Sequence, residues 1–222
     1  MSCASRGQTR RSLQEDDRMM PASDVSPKMF DHPFVDFFSR THWLAVPAVY
    51  LPLVVWAVYQ GHLAGAAPLT LVGAFVLGGV IWSLTEYWLH RTVFHWEPQT
   101  WWGPRFHFIA HGVHHTYHRD PYRLVMPPAV SAVLAVLFYG MFAGLGALFA
   151  TWFAPAWSLA AYGGFVLGYV TYDCTHYILH HWKPRTAWMK RLRAHHMNHH
   201  HNDPDRKFGV STMVWDRVFG TM

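Results

Sequence analysis

Hydrophobic residues in this chain gather in four long runs, about Trp43–Gln60, Ala66–Leu89, Val125–Phe153 and Trp157–Leu179. A helix needs about 20 apolar residues to cross a bilayer, so every run is long enough, the first only just. Buried helices of a soluble bundle are the competing explanation. Surface helices of such a bundle keep a polar stripe, however, and these runs are apolar on every face. Trp43, Trp88, Trp101, Trp102, Trp157, Trp182 and Trp188 lie near the ends of the runs, where membrane–water interfaces collect aromatic rings. The pattern predicts an all-α integral membrane protein with four transmembrane helices. Residues 1–30 are polar and mixed in charge, and predict a disordered tail without a signal-peptide core. Residues 31–222 then form a single membrane domain.

Charge gives these helices a direction. Six Lys/Arg precede the first run, four lie between the second and third, and eight follow the fourth. The remaining loops, around Gly61–Gly65 and Ala154–Pro155, carry none. By the positive-inside rule both termini face the cytoplasm. The formal charge of +5 is accounted for by anionic lipid headgroups and requires no nucleic acid. Only 14% of residues are charged, against roughly 25% in a soluble domain, which agrees with the membrane reading. Two cysteines are too few for a disulfide framework or a thiolate metal site.

On the cytoplasmic side the chain places histidines in four clusters. They are His90 and His95; His111, His114 and His115; His176 and His180; and His196, His199 and His200. Spacings of three and four bring helical side chains toward one face, so each cluster can present its rings together. Ten imidazoles exceed what one metal takes and suit two. Imidazole binds zinc, copper or iron as the neutral ring. The run 195–201 could also be a solvated histidine tract that binds metal loosely. His107, His118, His181, His195 and His201 are expected to support the ligands or lie on the surface, and His32, His42 and His62 to be incidental. Glu86, one turn before His90, and Asp173, three residues before His176, are carboxylates inside apolar runs. Such groups are costly there, and each is placed to accept the second N–H of a ligating histidine, to pack helices through a hydrogen bond to a Tyr, Ser or Thr neighbour, or to ligate a metal directly.

Two-metal hydrolases act on polar substrates and favour carboxylate bridges. A site at the level where lipid chains begin suits chemistry on an acyl chain instead. Two redox-active irons can activate dioxygen for attack on an unreactive C–H bond, which redox-inert zinc cannot do. A metal transporter would place its ligands near the bilayer midplane on broken helices, whereas these histidines collect at one face.

The strings HRTVFH (90–95), HGVHH (111–115), DPYRLVMPP (120–128), GYVTYDCTHYILHH (168–181), HMNHH (196–200) and FGVSTMVWDRVFGT (208–221) resemble the fatty acid 2-hydroxylase family. That family lies within the membrane fatty acid hydroxylase/sterol desaturase superfamily, and the likeness covers about residues 30–222. The histidine boxes are shared with sterol and carotenoid enzymes of the superfamily, while YRLVMPP and YDCTHY are more specific. The resemblance implies four membrane helices with a cytosolic helical cap holding a dimetal site. Its ligands would be the ten histidines named above, with iron as the working metal and zinc able to occupy the site. It also implies O2 as co-substrate and hydroxylation beside the acyl carbonyl of a free fatty acid or ceramide-type lipid. Tyr122 and Arg123 match the family string and are candidates for shaping the substrate entrance or binding a headgroup, or equally for anchoring the chain at the interface before the third run. The N-terminal tail is too short for the cytochrome-type haem domain of many relatives. A separate electron donor, a cytochrome or ferredoxin, is therefore expected. Asn198 stands where an acidic residue is expected to support the last cluster.

Overall fold

The computed structural model describes residues 26–150 and 156–222, and those residues are all-helical with no strand among them. A short helix α1 (Pro33–Phe38) leads into α2 (Ala45–Leu63). Helix α3 (Pro68–Trp88) starts at a proline, whose missing N–H is not needed in a first turn, and runs on into a π-helical segment, Leu89–Phe94. A cap follows, made of α4 (Gly103–His107), a second π-helical segment (Phe108–Gly112) and α5 (Val113–Thr116). Helix α6 (Pro128–Leu148) again begins at a proline, and α7 (Ala156–His181) is the longest element. Thr186 caps α8 (Ala187–His201) by accepting from Met189 N at 3.2 Å, and α9 (Val214–Val218) closes the chain.

Helix α7 forms the axis of the bundle, with α2, α3 and α6 packed around it. Small residues let the backbones meet. A Cβ on Gly78 of α3 would strike the Ala161 carbonyl, and one on Gly164 of α7 would strike the Phe75 carbonyl. Three helical stretches are long and apolar enough to cross a membrane: Ala45–Leu63, Pro68–Phe94 and Pro128–Leu148. The fourth expected span, α7, does not reach that standard. It packs mostly against the other helices, which bury its Tyr162, Tyr169, Tyr172 and Asp173.

The expected disordered tail falls mostly on residues 1–25, outside the described residues, as does the loop Ala154–Pro155. Residues 26–30, the end of the expected tail, are described, and two of them are packed. Ser26 and Met29 are buried. Ser26 donates to Asp120, and Met29 N donates to Asp36 Oδ1 at 2.7 Å.

Candidate metal centre

The ten histidines converge in two sets of five. One contains His90, His95, His111, His115 and His199; the other contains His114, His176, His180, His196 and His200. Within each set one nitrogen per ring lies within 4.8 Å of all the others. At 100° per residue, the residue at i+4 lies about 40° to one side of i and the residue at i+3 about 60° to the other, so one string can point its rings at two neighbouring centres. The HxxHH strings are divided accordingly. His111 and His115 enter the first set and His114 the second, while His196 and His200 enter the second and His199 the first. Each string therefore serves both sets instead of filling one. The His90/His95 pair, five apart, follows the π-helical segment. Its wider i→i+5 turn brings their rings to 5.1 Å.

Nε2 atoms face one another across each set. The separations are 3.0 Å for His90–His111 and 3.1 Å for His95–His199 in the first. In the second they are 2.9 Å for His176–His114, 3.0 Å for His114–His200, 3.1 Å for His200–His196 and 2.8 Å for His180–His196. A metal–imidazole bond of about 2.0–2.1 Å puts neighbouring ligands at right angles about 3.0 Å apart, so these spacings match the edges of a coordination shell. Two tautomers are fixed from outside. His90 Nδ1 donates to the Phe208 carbonyl at 2.5 Å and His199 Nδ1 to the Arg206 carbonyl at 2.7 Å, leaving each Nε2 lone pair aimed inward. Burial, and then the neighbouring rings, hold His111, His114 and His196 well below the ordinary imidazole value, and His115 falls to about 3. The rings are neutral at physiological pH, which is the ligating form. Ten neutral nitrogen donors without a thiolate fit a pair of borderline transition ions such as iron or zinc.

Neither flanking acid accepts from a ligating histidine; each meets other partners. Glu86 reaches no histidine. Its Oε1 accepts from Val210 N and Ser211 N, both at 2.8 Å, and Ser211 Oγ donates to Oε2. It therefore holds the segment whose Phe208 carbonyl orients His90. Asp173 is buried beside Tyr169 and the Met126 backbone. Among the described residues its Oδ2 and the Nδ1 of His176 have no hydrogen-bond partner, so the expected pairing of the two is not made. Asn198 contributes its backbone carbonyl, which accepts from Asn202 N at 2.9 Å and Asp203 N at 3.0 Å. The His107 ring lies against the backbone of Gly112. His195 is buried and donates to Asp216 at 3.0 Å.

Arg123 is not free to meet a headgroup. Its guanidinium pairs with Asp36 at 2.9 Å and donates to the Pro27 carbonyl at 2.8 Å and to Ser39 Oγ, which pins the N-terminal segment to the cap. Tyr122 is exposed, and its carbonyl accepts from Thr41 N at 2.9 Å. The sequence reading missed Asp216. This fully buried carboxylate accepts from Phe208 N, Gly209 N, Thr221 Oγ1 and His195, and so fixes the same strap as Glu86. An acid in the apolar FGVSTMVWDRVFGT string was the available signal. The two carbonyls have none, because every residue carries one.

An apolar cavity adjoins the histidines. Leu89 and Phe94, which flank His90, line one end, and Phe94 stacks on His111 at 5.5 Å. Trp82, Met126, Leu134 and Tyr169 form its walls, and Phe138, Tyr162 and Phe165 line the far part. Helices α3, α6 and α7 supply most of this surface, with Tyr50 from α2.

Apolar helices that end in two imidazole sets, each able to hold a metal ion, with an apolar cavity beneath, suit a membrane-associated metalloprotein. The fatty acid hydroxylase family model matches residues 75–221, and the chain belongs to that family. It is thus a hydroxylase-type oxidoreductase. The Arabidopsis thaliana dihydroceramide fatty acyl 2-hydroxylase is 38% identical over 201 residues, covering 90% of this chain and 82% of that one. The Saccharomyces cerevisiae ceramide very long chain fatty acid hydroxylase is 37% identical, covering 85% of this chain and 47% of its own length. Human fatty acid 2-hydroxylase is 33% identical, covering 88% of this chain and 56% of its own. A solved structure of full-length scs7p, with only its hydroxylase domain visible, superposes with a TM-score of 0.74 at 37% identity. It covers 85% of this chain and 69% of that one.

Proposed function

We propose that residues 31–222 form a membrane hydroxylase that places a hydroxyl on carbon 2 of a fatty acyl chain, free or amide-linked in a ceramide-type lipid. Two five-histidine sets abutting an apolar cavity are the observation that carries this reading. The named activities of the plant, yeast and human relatives support the substrate class. In the proposed topology α7 is a fourth span, sheltered from lipid by the other three. The termini, cap and histidines lie on the cytoplasmic side, where the basic residues collect.

Each histidine set would hold one iron, and zinc could occupy the same donors. Bound iron would supply the redox chemistry that activates O2. The net reaction converts one C–H bond to C–OH and consumes O2, two electrons and two protons, releasing one water. Electrons would come from a separate donor of cytochrome or ferredoxin type. The protein's own residues have three tasks here. Phe208 and Arg206 carbonyls keep His90 and His199 in the tautomer that points Nε2 inward. Glu86 and Asp216 fix the strap that carries those carbonyls. The aromatic and aliphatic walls exclude water and hold a hydrocarbon tail in line with the histidines.

Lipid mass spectrometry after expression in a host lacking such an activity tests the proposal. Wild-type chain should generate 2-hydroxy acyl lipids, and His114→Ala should abolish them. Unchanged acyl lipids together with metal uptake into vesicles would replace the proposal with transport.

A further inference from the structure

The cavity beneath the histidines has a built end. Tyr162, on α7, donates to the Ala135 carbonyl of α6 at 3.0 Å and so ties the two helices together. Phe138 packs on Phe165 at 4.5 Å, and Phe142 meets Phe165 at 5.4 Å and Tyr162 at 6.0 Å. Phe142, Tyr162 and Phe165 are each only 2% exposed, so this part of the α6–α7 contact is filled. Toward the histidines the α6 surface that faces α7 is less filled. Leu134 and Ala135 remain half-buried and line the cavity. Every large side chain at the closed end is aromatic, and aromatic rings bring few rotamers with which to yield.

We infer that this aromatic floor is an acyl-length ruler, so that the enzyme accepts long but not very long chains. The inference rests on the reading of the cavity as the acyl site. Phe165 precedes His176 by eleven residues on one helix, which sets the floor about 16 Å below the histidines. With carbon 2 at the histidine level, an extended tail of roughly a dozen further carbons fills that distance, for a total of about 14–16 carbons. A longer tail must displace Phe138 or bend out of the cavity. Rejecting even one methylene from a packed pocket is worth about tenfold or more in selectivity. Phe138 is the half-buried member of the floor and Ala135 the small one, so substitution at these two positions resets the length in opposite directions.

The test supplies an expressing host with saturated fatty acids from 12 to 24 carbons, and reads the 2-hydroxy fraction of each chain length by mass spectrometry. Wild-type enzyme should show a drop of about tenfold beyond its longest good substrate, near 16 carbons. Ala135→Leu, which fills the cavity above the floor, should move that drop to shorter chains. Phe138→Ala should move it to longer ones. Membrane-extracted metal content identifies any variant that has failed to fold, and the wild-type profile decides by itself if both fail. A wild-type fraction that stays level to 24 carbons overturns the ruler, as does a drop that neither active variant shifts. No 2-hydroxy product at any length from the wild type would instead overturn the proposed activity.

Discussion

The histidines were legible because chemistry demands them by type: an imidazole cage can be built only from imidazoles. Their supports were less so. Glu86 was noticed as a carboxylate in an apolar run, yet it serves His90 through the Val210–Ser211 backbone and the Phe208 carbonyl, a route that no spacing shows. Asp216 sits at the centre of that strap. Asp216→Asn cannot accept all four of its bonds, and should lower metal affinity by about 10–100-fold, measured by competition with a chelator. Retained affinity would show that the strap does not orient the ligands. Asp36 carries a separate pH dependence. Burial raises its carboxyl, but bonds from Met29 N, Arg40, Phe30 N and Arg123 outweigh this and hold it well below the ordinary carboxylate value. A depressed folded value means the stabilisation is complete above the unfolded value of about 3.9 and fades as pH falls below it. Thermal melts should therefore lose stability below about pH 4, and Asp36→Asn should flatten that part of the profile while lowering the melting temperature at pH 7.

Three of the four apolar runs became helices with the composition of membrane spans, as hydrophobic patterning predicts. The fourth, α7, falls short of that composition because it is packed among the other helices, where its tyrosines and aspartate are buried against protein. Its glycines determine how closely the others approach. Gly164→Leu should separate α7 from α3 at Phe75 and destabilise the bundle by about 1–3 kcal/mol, read as a lower detergent-melting temperature. The π-helical segments were not anticipated. Their residues have ordinary helical character, and the single trace of the first is the five-residue interval between His90 and His95. That interval separates the rings in an α-helix and brings them together in a wider turn.

Across the whole molecule, every histidine cluster comes from an element that ends or lies at one level of the bundle: the end of α3, the cap, the end of α7 and α8. The sequence reading foresaw this convergence, but not how it is partitioned. A helix face is set by 100° per residue, so each HxxHH string feeds two cages and ties them into one unit. Arg123, a candidate for substrate, headgroup or interface contact, pairs with Asp36, 87 residues away, and no local pattern reports such a pairing. The geometry predicts one metal ion in each histidine set. Purified wild-type protein, loaded anaerobically with ferrous iron and stripped of loose metal, should contain two irons per chain by mass spectrometric metal analysis. Substituting His111 or His176 by alanine should each lower the ratio toward one. A wild-type ratio of one or less under the same treatment would contradict a two-metal centre.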